Sequence, residues 1–230
     1  QIEMMANKAT AKKEMESVGV PVVPGYHGPQ QDNTTLIAQI LKIGFPVIVK
    51  PRAGGGGKGM RVATTGDDLG NLLDTCRREA LSAFNDAGLI VERFLENPRH
   101  IEVQVFGDTY GNAVHFYERD CSLQRRHQKV IEEAPARELS SHLREGLIAC
   151  ALTVTKTIGY HGAGTVEFLV KDELFYFIEM NTRLQVEHPV TELITQTDLV
   201  EWQLRVAAGQ PLPMTQEEIH CRGHAVQARL

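Results

Sequence analysis

No apolar run in this chain approaches the ~20 residues that cross a bilayer, and no signal peptide is visible. Cysteine is sparse and scattered. Cys76, Cys121, Cys150 and Cys221 form no CxxC pair, which points to reduced thiols rather than a disulfide framework. Basic charge is not in excess: the formal net charge of −5 removes the electrostatic reason to expect nucleic acid or an anionic membrane as partner. Internal repeats and low-complexity tracts are missing as well. The chain begins at Gln1 without an initiator Met and stops at Arg229–Leu230, directly after an expected strand, as a piece of a longer polypeptide would. What is present is ordinary for a soluble globular protein. With 230 residues and 42% hydrophobic content, the chain can bury a real core as one large or two small domains.

The run Phe175–Glu192, FYFIEMNTRLQVEHPVTE, departs from that ordinary pattern. If extended, it places Glu179, Asn181, Arg183, Gln185 and Glu187 on one face, and Ile178, Met180, Leu184 and Val186 on the other. A solvated edge strand would carry interchangeable polar residues. Two carboxylates, two amides and a guanidinium in a row are instead poor strand formers, and local propensity is overridden most often at functional sites. Two carboxylates can hold a divalent cation, and an Arg fork fits a planar oxyanion. This run is expected to be an active-site floor.

Apolar spacing predicts helices over 3–18, 34–42, 67–84 and 140–158 and one starting at Asp198, with Glu201 placed as in a capping box. Strands are expected at 45–50, 60–63, 89–94, 100–107, 113–121, 165–170, 175–181 and 225–230. The hairpin 165–181 would bring Glu167 beside Glu179. Mixed helices and strands with mostly hairpin pairing predict an α+β class. Between two strands lies RAGGGGKGMR (Arg52–Arg61). It is not a P-loop, because Gly59 and a strand follow Lys58 where Ser or Thr and a helix are required. It is better understood as a glycine hairpin whose bare N–H groups close over phosphates. Gln124–Ala136, QRRHQKVIEEAPA, concentrates positive charge in a net acidic chain and is either a solvated loop or an anion site.

The glycine loop GGGGKGMR, the block ERDCSLQRRHQKVIEEAPA (Glu118–Ala136) and the block FIEMNTRLQVEHPVTE (Phe177–Glu192) together resemble the biotin carboxylase component of biotin-dependent carboxylases, members of the ATP-grasp superfamily. The resemblance implies an ATP-grasp core of two α+β subdomains with the nucleotide held between them. It divides the chain into a first part (1–48), a lid with the glycine loop (49–121) and a floor (122–230), with further subdomains on either side of this piece. It implies ATP, Mg²⁺ or Mn²⁺, bicarbonate, and biotin on a carrier domain. Lys8, Lys50, Gly55, Gly56, Gly57, Met60, Glu92, Arg93, Leu95, His100, Gln124 and His127 are then nucleotide contacts. Glu167, Glu179 and Asn181 match the metal ligands. Lys129, Arg183, Gln185 and Val186 match the bicarbonate site, Glu187 its base, and Arg229 the arginine that stabilises the biotin enolate. The implied partners are a biotin carboxyl carrier domain and a carboxyltransferase subunit within a homo-oligomer or larger complex, in a bacterial cytoplasm or a mitochondrial matrix. VEWQLRVAAGQPLP (Val200–Pro213) resembles carboxylases of the methylcrotonyl-CoA or propionyl-CoA kind. Urea, pyruvate and acetyl-CoA carboxylases share the same core and are alternatives, and carbamoyl phosphate synthetase, which also activates bicarbonate, is the rival within the superfamily.

Overall fold

Two antiparallel sheets, the smaller with helices on one face and the larger with helices on both, divide the chain. A computed structural model describes Met5, residues 8–53 and residues 58–230. The smaller sheet holds β1 (Gly25–Tyr26), β2 (Val47–Pro51), β3 (Arg61–Ala63) and β4 (Leu89–Arg93) in the order β1-β4-β2-β3. Helices α2 (Asn33–Ile43) and α3 (Leu69–Phe84) pack on it through Leu36, Ile40, Leu73 and Cys76, against Val47, Val49, Leu89 and Val91. Asp32 caps α2 by accepting the Thr35 N–H, and Gly44, at φ 79°, ends it in a conformation that disfavours a side chain. Leu41 and Leu81, apolar residues of these helices, are exposed.

The larger sheet holds β5 (Arg99–Gly107), β6 (Ala113–Arg125), β7 (Gln128–Ala134), β8 (Gly162–Lys171), β9 (Leu174–Asn181) and β10 (Ala225–Ala228), in the order β10-β7-β6-β5-β8-β9. Alternation gives it two different faces. Ile101, Val103, Val105, Val166, Phe168 and Phe177 face α1 (Lys8–Ser17) and α4 (Ser141–Thr157), meeting Met15, Leu147 and Val154. Burial of each such side chain is worth about 1.5–3 kcal/mol. On the other face, Phe106 and Phe116 pack around Trp202 of α6 (Leu199–Ala207), while Glu102, Gln104, Arg119, Thr165 and Glu167 occupy the rest and are buried.

The α+β expectation and most expected elements stand. The domain limits do not coincide with the sheets: position 48/49 falls inside β2 and 121/122 inside β6. The chain crosses between sheets at 94–98, because β5 and β6 pair with each other and with β7 and β8. Gln124–Ala136 is not a loop. It is the end of β6 and the whole of β7, turning at Arg126 and His127, both at positive φ. The run 175–192 is extended only to Asn181, and α5 (His188–Thr195) follows with Pro189 in its first turn. Asp198 caps α6 as expected, but the Glu201 carboxylate bonds Arg205 rather than closing a box.

Candidate active site

A cavity of about 1160 Å³ opens between the two sheets. Every expected site residue among the described ones lines it. The glycines Gly55, Gly56 and Gly57 lie outside the described residues, while their neighbours Ala53, Lys58 and Met60 are on the wall. Helix α1 connects the two halves. Its Lys8 and Lys12, one turn apart, share a face. Lys8 donates to Glu179 of β9 at 2.5 Å, and Lys12 donates to Glu92 of β4. Lys50, at the end of β2, reaches the second Glu92 oxygen at 2.7 Å. Burial alone would raise the Glu92 carboxyl, but Lys50 and Lys12 outweigh it and bring it to about 2. Burial lowers Lys12 below the ordinary lysine range against the pull of Glu92. Leu95 follows β4 on the same wall. The Arg93 guanidinium is engaged by the carbonyls of Gly44 and Phe45, at 3.0 and 3.2 Å.

On the larger sheet, Glu167 and Glu179 are directly opposed across β8 and β9. A bulge follows: the next pair is Phe168–Phe177, so Ile178 is an extra residue. Two consecutive residues then face similarly, and Ile178 lines the cavity, contrary to the strict alternation expected for it. His100 Nε2 lies 2.8 Å from Glu167, and its Nδ1 lies 2.8 Å from the Gln124 amide. Burial lowers the His100 ring, but the bond to Glu167 wins and raises it above an ordinary histidine. Asn181 and Gln185 donate to Glu167 Oε1 at 2.8 and 3.1 Å. Burial opposes ionisation of Glu167; His100 and Lys129 nonetheless hold its carboxyl well below the usual range.

Lys129 is the hub. Its ammonium contacts Glu102 at 2.5 Å, Glu167 at 2.8 Å and Glu187 at 2.8 Å. Despite burial, these carboxylates raise it above an ordinary lysine. His100, Glu102 and Glu167 place donor atoms within 4.8 Å of one another, but this ammonium already supplies the cation there. Glu187 is bracketed: Oε1 accepts from Lys129 and Oε2 from Arg229 Nη2, each at 2.8 Å. Arg183 is exposed and donates to the Leu184 carbonyl at 3.3 Å, and Val186 is exposed at the rim. The five polar residues of the motif do converge, the last three from a loop rather than from the strand.

Sequence reasoning missed the support beneath. Arg119 is fully buried and donates to Glu102, Gln104, Thr191, Thr165 and Gln185 at 2.6–3.2 Å. It ties three strands to the Gln185 loop and to α5. The alternation in HIEVQV, with Glu102 and Gln104 among apolar residues, was the available signal. Lys12 offered none on a helix rich in charge.

The donors Glu167, Glu179 and Asn181 form a hard-oxygen set on adjacent strands, with Lys8 and Lys129 balancing the carboxylates. That chemistry fits Mg²⁺ or Mn²⁺, which prefer oxygen and share ligation with phosphates.

The family described as carbamoyl-phosphate synthase L chain, ATP binding domain, matches residues 7–215. The chain is 54% identical, over 230 residues, to the mitochondrial methylcrotonoyl-CoA carboxylase subunit alpha of Rattus norvegicus, covering all of this chain and 32% of that protein. It is 50% identical to the biotin carboxylase of Haemophilus influenzae, covering 51% of it. The biotin carboxylase domain of the Hydrogenobacter thermophilus 2-oxoglutarate carboxylase, solved with MgADP, ADP and bicarbonate, superposes with a TM-score of 0.95 at 46% identity, over 99% of this chain and 51% of that one. The chain thus spans about a third to about half of the length of these relatives.

Proposed function

The chain belongs to the carbamoyl-phosphate synthase L chain ATP-binding domain family, with the ATP-grasp fold of biotin carboxylases, and from that premise we propose that it carboxylates biotin with ATP and bicarbonate. The observation that carries this reading is Glu187, a buried carboxylate held between Lys129 and Arg229 at the cavity floor, beside Gln185 and Arg183.

In this reading Lys8, Lys50 and the glycine loop take the phosphates of ATP, and Leu95 and Glu92 border the base. Glu167, Glu179 and Asn181 would hold Mg²⁺, whose charge supplies neutralisation of the phosphates. Arg183, Gln185 and the Val186 backbone orient bicarbonate. Glu187 takes its proton as a bicarbonate oxygen bonds to the γ-phosphorus and ADP leaves, giving carboxyphosphate. The carboxyl group then passes to N1 of biotin, phosphate departs with the N1 proton, and Arg229 balances the enolate charge. Glu187 is paired with Lys129 and Arg229, and it accepts the bicarbonate proton as the phosphoryl bond forms.

Identity to methylcrotonoyl-CoA carboxylase alpha subunits supports an acyl-CoA carboxylase of that kind as the parent enzyme. We infer a biotin carboxyl carrier domain and a carboxyltransferase subunit as partners, within an oligomer. The relatives of eukaryotes are mitochondrial by name, which supports a mitochondrial matrix setting for a eukaryotic source. No helix among the described residues is long and apolar enough to cross a membrane.

The test is phosphate release from MgATP by the purified chain, with and without bicarbonate and free biotin. Release that requires bicarbonate and rises with biotin is expected. Stimulation by ammonia in place of biotin would favour carbamoyl phosphate chemistry, and no release together with no MgATP-induced rise in Tm would refute the reading.

A further inference from the structure

Arg229 is held both at its backbone and at its guanidinium. It directly follows β10, a four-residue edge strand, and 36% of the side chain is exposed. Its backbone N–H donates to the Val130 carbonyl at 2.9 Å. The guanidinium is gripped at two nitrogens. Nη2 donates to Glu187 at 2.8 Å, and Nε donates to Oε1 of Glu132 at 2.7 Å. Glu132 lies on β7 opposite Gln227 of β10.

Strict alternation would send Lys129 and Glu132 to opposite faces of β7. Between the pairs Leu123–Ile131 and Gln124–Lys129, however, Val130 is an extra residue. Such a bulge resets the alternation, and Lys129 and Glu132 both serve Glu187, one directly and the other through Arg229. Glu132 is fully buried and does not line the cavity, and its Oε2 has no hydrogen-bond partner among the described residues. Burial raises its carboxyl above the ordinary range against the pull of Arg229. A buried carboxylate with an unsatisfied oxygen is a poor choice for stability alone. Its place is explained by what it holds.

We propose that Glu132 is a positioning residue for carboxyl transfer: it anchors the Nε edge of Arg229, so that Nη2 holds Glu187 and Nη1, which neither carboxylate takes, is presented to the carboxyl acceptor. The inference rests on the role given to Arg229 above. It separates Glu132 from Lys129, which sits in the cavity and contacts the base directly.

Two measurements on the full chain test it. In ¹H–¹⁵N spectra of the arginine Nε–H groups, the resonance lost in Arg229→Lys identifies Arg229. Glu132→Gln is expected to shift that resonance and to speed its hydrogen exchange by roughly tenfold. In the kinetic arm, Glu132→Gln is expected to lower kcat for biotin-stimulated phosphate release about tenfold, with KM for bicarbonate and for ATP unchanged. It should add nothing further in the Arg229→Lys background, as two residues acting through one contact do not add. A lower Tm with the Arg229 resonance and all kinetic constants untouched would overturn the proposal. Absence of turnover in the unsubstituted chain would sink the functional reading. The spectrum would then decide the anchoring by itself, an unchanged Arg229 signal counting against it and a shifted one for it.

Discussion

The two faces of the six-stranded sheet are both buried, yet they are built on opposite rules. Toward α1 and α4 the strands present Ile101, Val103, Phe168 and Phe177, a non-directional apolar core in which volume matters most. Toward the cavity the same strands present Glu102, Gln104, Arg119, Thr165 and Glu167, where every group depends on a named partner. Well-packed apolar residues often stabilise as much as buried ion pairs do. The polar face is therefore retained for what it positions. The apolar face sets how firmly the sheet holds together, and the polar face sets where Lys129, Gln185 and Glu187 point.

Arg119→Ala presses hardest on this difference. It strands Glu102 and four further buried polar partners and is expected to cost about 3–5 kcal/mol, measured by denaturant unfolding. Leu147→Ala on the apolar face is expected to cost about 2–5 kcal/mol. The two differ in kind: filling the Leu147 cavity with Met should restore stability, whereas Arg119→Met refills the volume but leaves Glu102 and its neighbours without their donor, and should not. A loss in Arg119→Ala much below that in Leu147→Ala would break the contrast.

Acid sharpens the same contrast, since the apolar face does not titrate. The folded-state carboxyls of Glu92, Glu167 and Glu102 are depressed, by Lys50 and Lys12, by His100 and Lys129, and by Arg119 and Lys129 respectively, in each case against burial. A depressed carboxyl contributes stability that is present above its unfolded value and is lost as pH falls through the folded one. For Glu92 the window runs from 4.5 down to about 2, with a loss on the order of 3 kcal/mol. His100 acts with the opposite sign: raised by Glu167, its contribution is present below the ordinary histidine value of about 6.5 and fades as pH climbs through the folded one. Tm measured from pH 6 to 3 should therefore fall, and Glu92→Gln should flatten the fall. An equally steep fall in that variant would remove Glu92 from the account.

The smallest expected effect comes from the exposed rim. Arg183→Ala should leave Tm and ADP affinity unchanged and raise KM for bicarbonate about tenfold. An equal loss of ADP affinity would assign Arg183 to the nucleotide.

Much of this was legible from the residues. Helical periodicity marked α2, α3, α4 and α6, and hairpin spacing brought Glu167 to Glu179. The resemblance carried by the motif blocks named residues that line one cavity although they are spread from Lys8 to Arg229. What escaped depended on register and distance. The bulge at Ile178 exists because two strands pair with one residue to spare, and α5 interrupts an alternation that looked continuous. Arg119 in isolation is an arginine on a strand; its five partners lie between 15 and 72 positions away.

The sequence by itself determined the local elements and the chemical inventory of the site, because periodicity, caps and the charge of a side chain are properties of neighbouring residues. Only the tertiary structure decided which carboxylate faces which cation. That choice brings Lys12 to Glu92, Lys129 among Glu102, Glu167 and Glu187, and Arg229 between Glu132 and Glu187. The physical reason is that an ion pair in a buried cavity acts over a few ångströms, and distances of that size between remote residues are set by sheet register and helix packing.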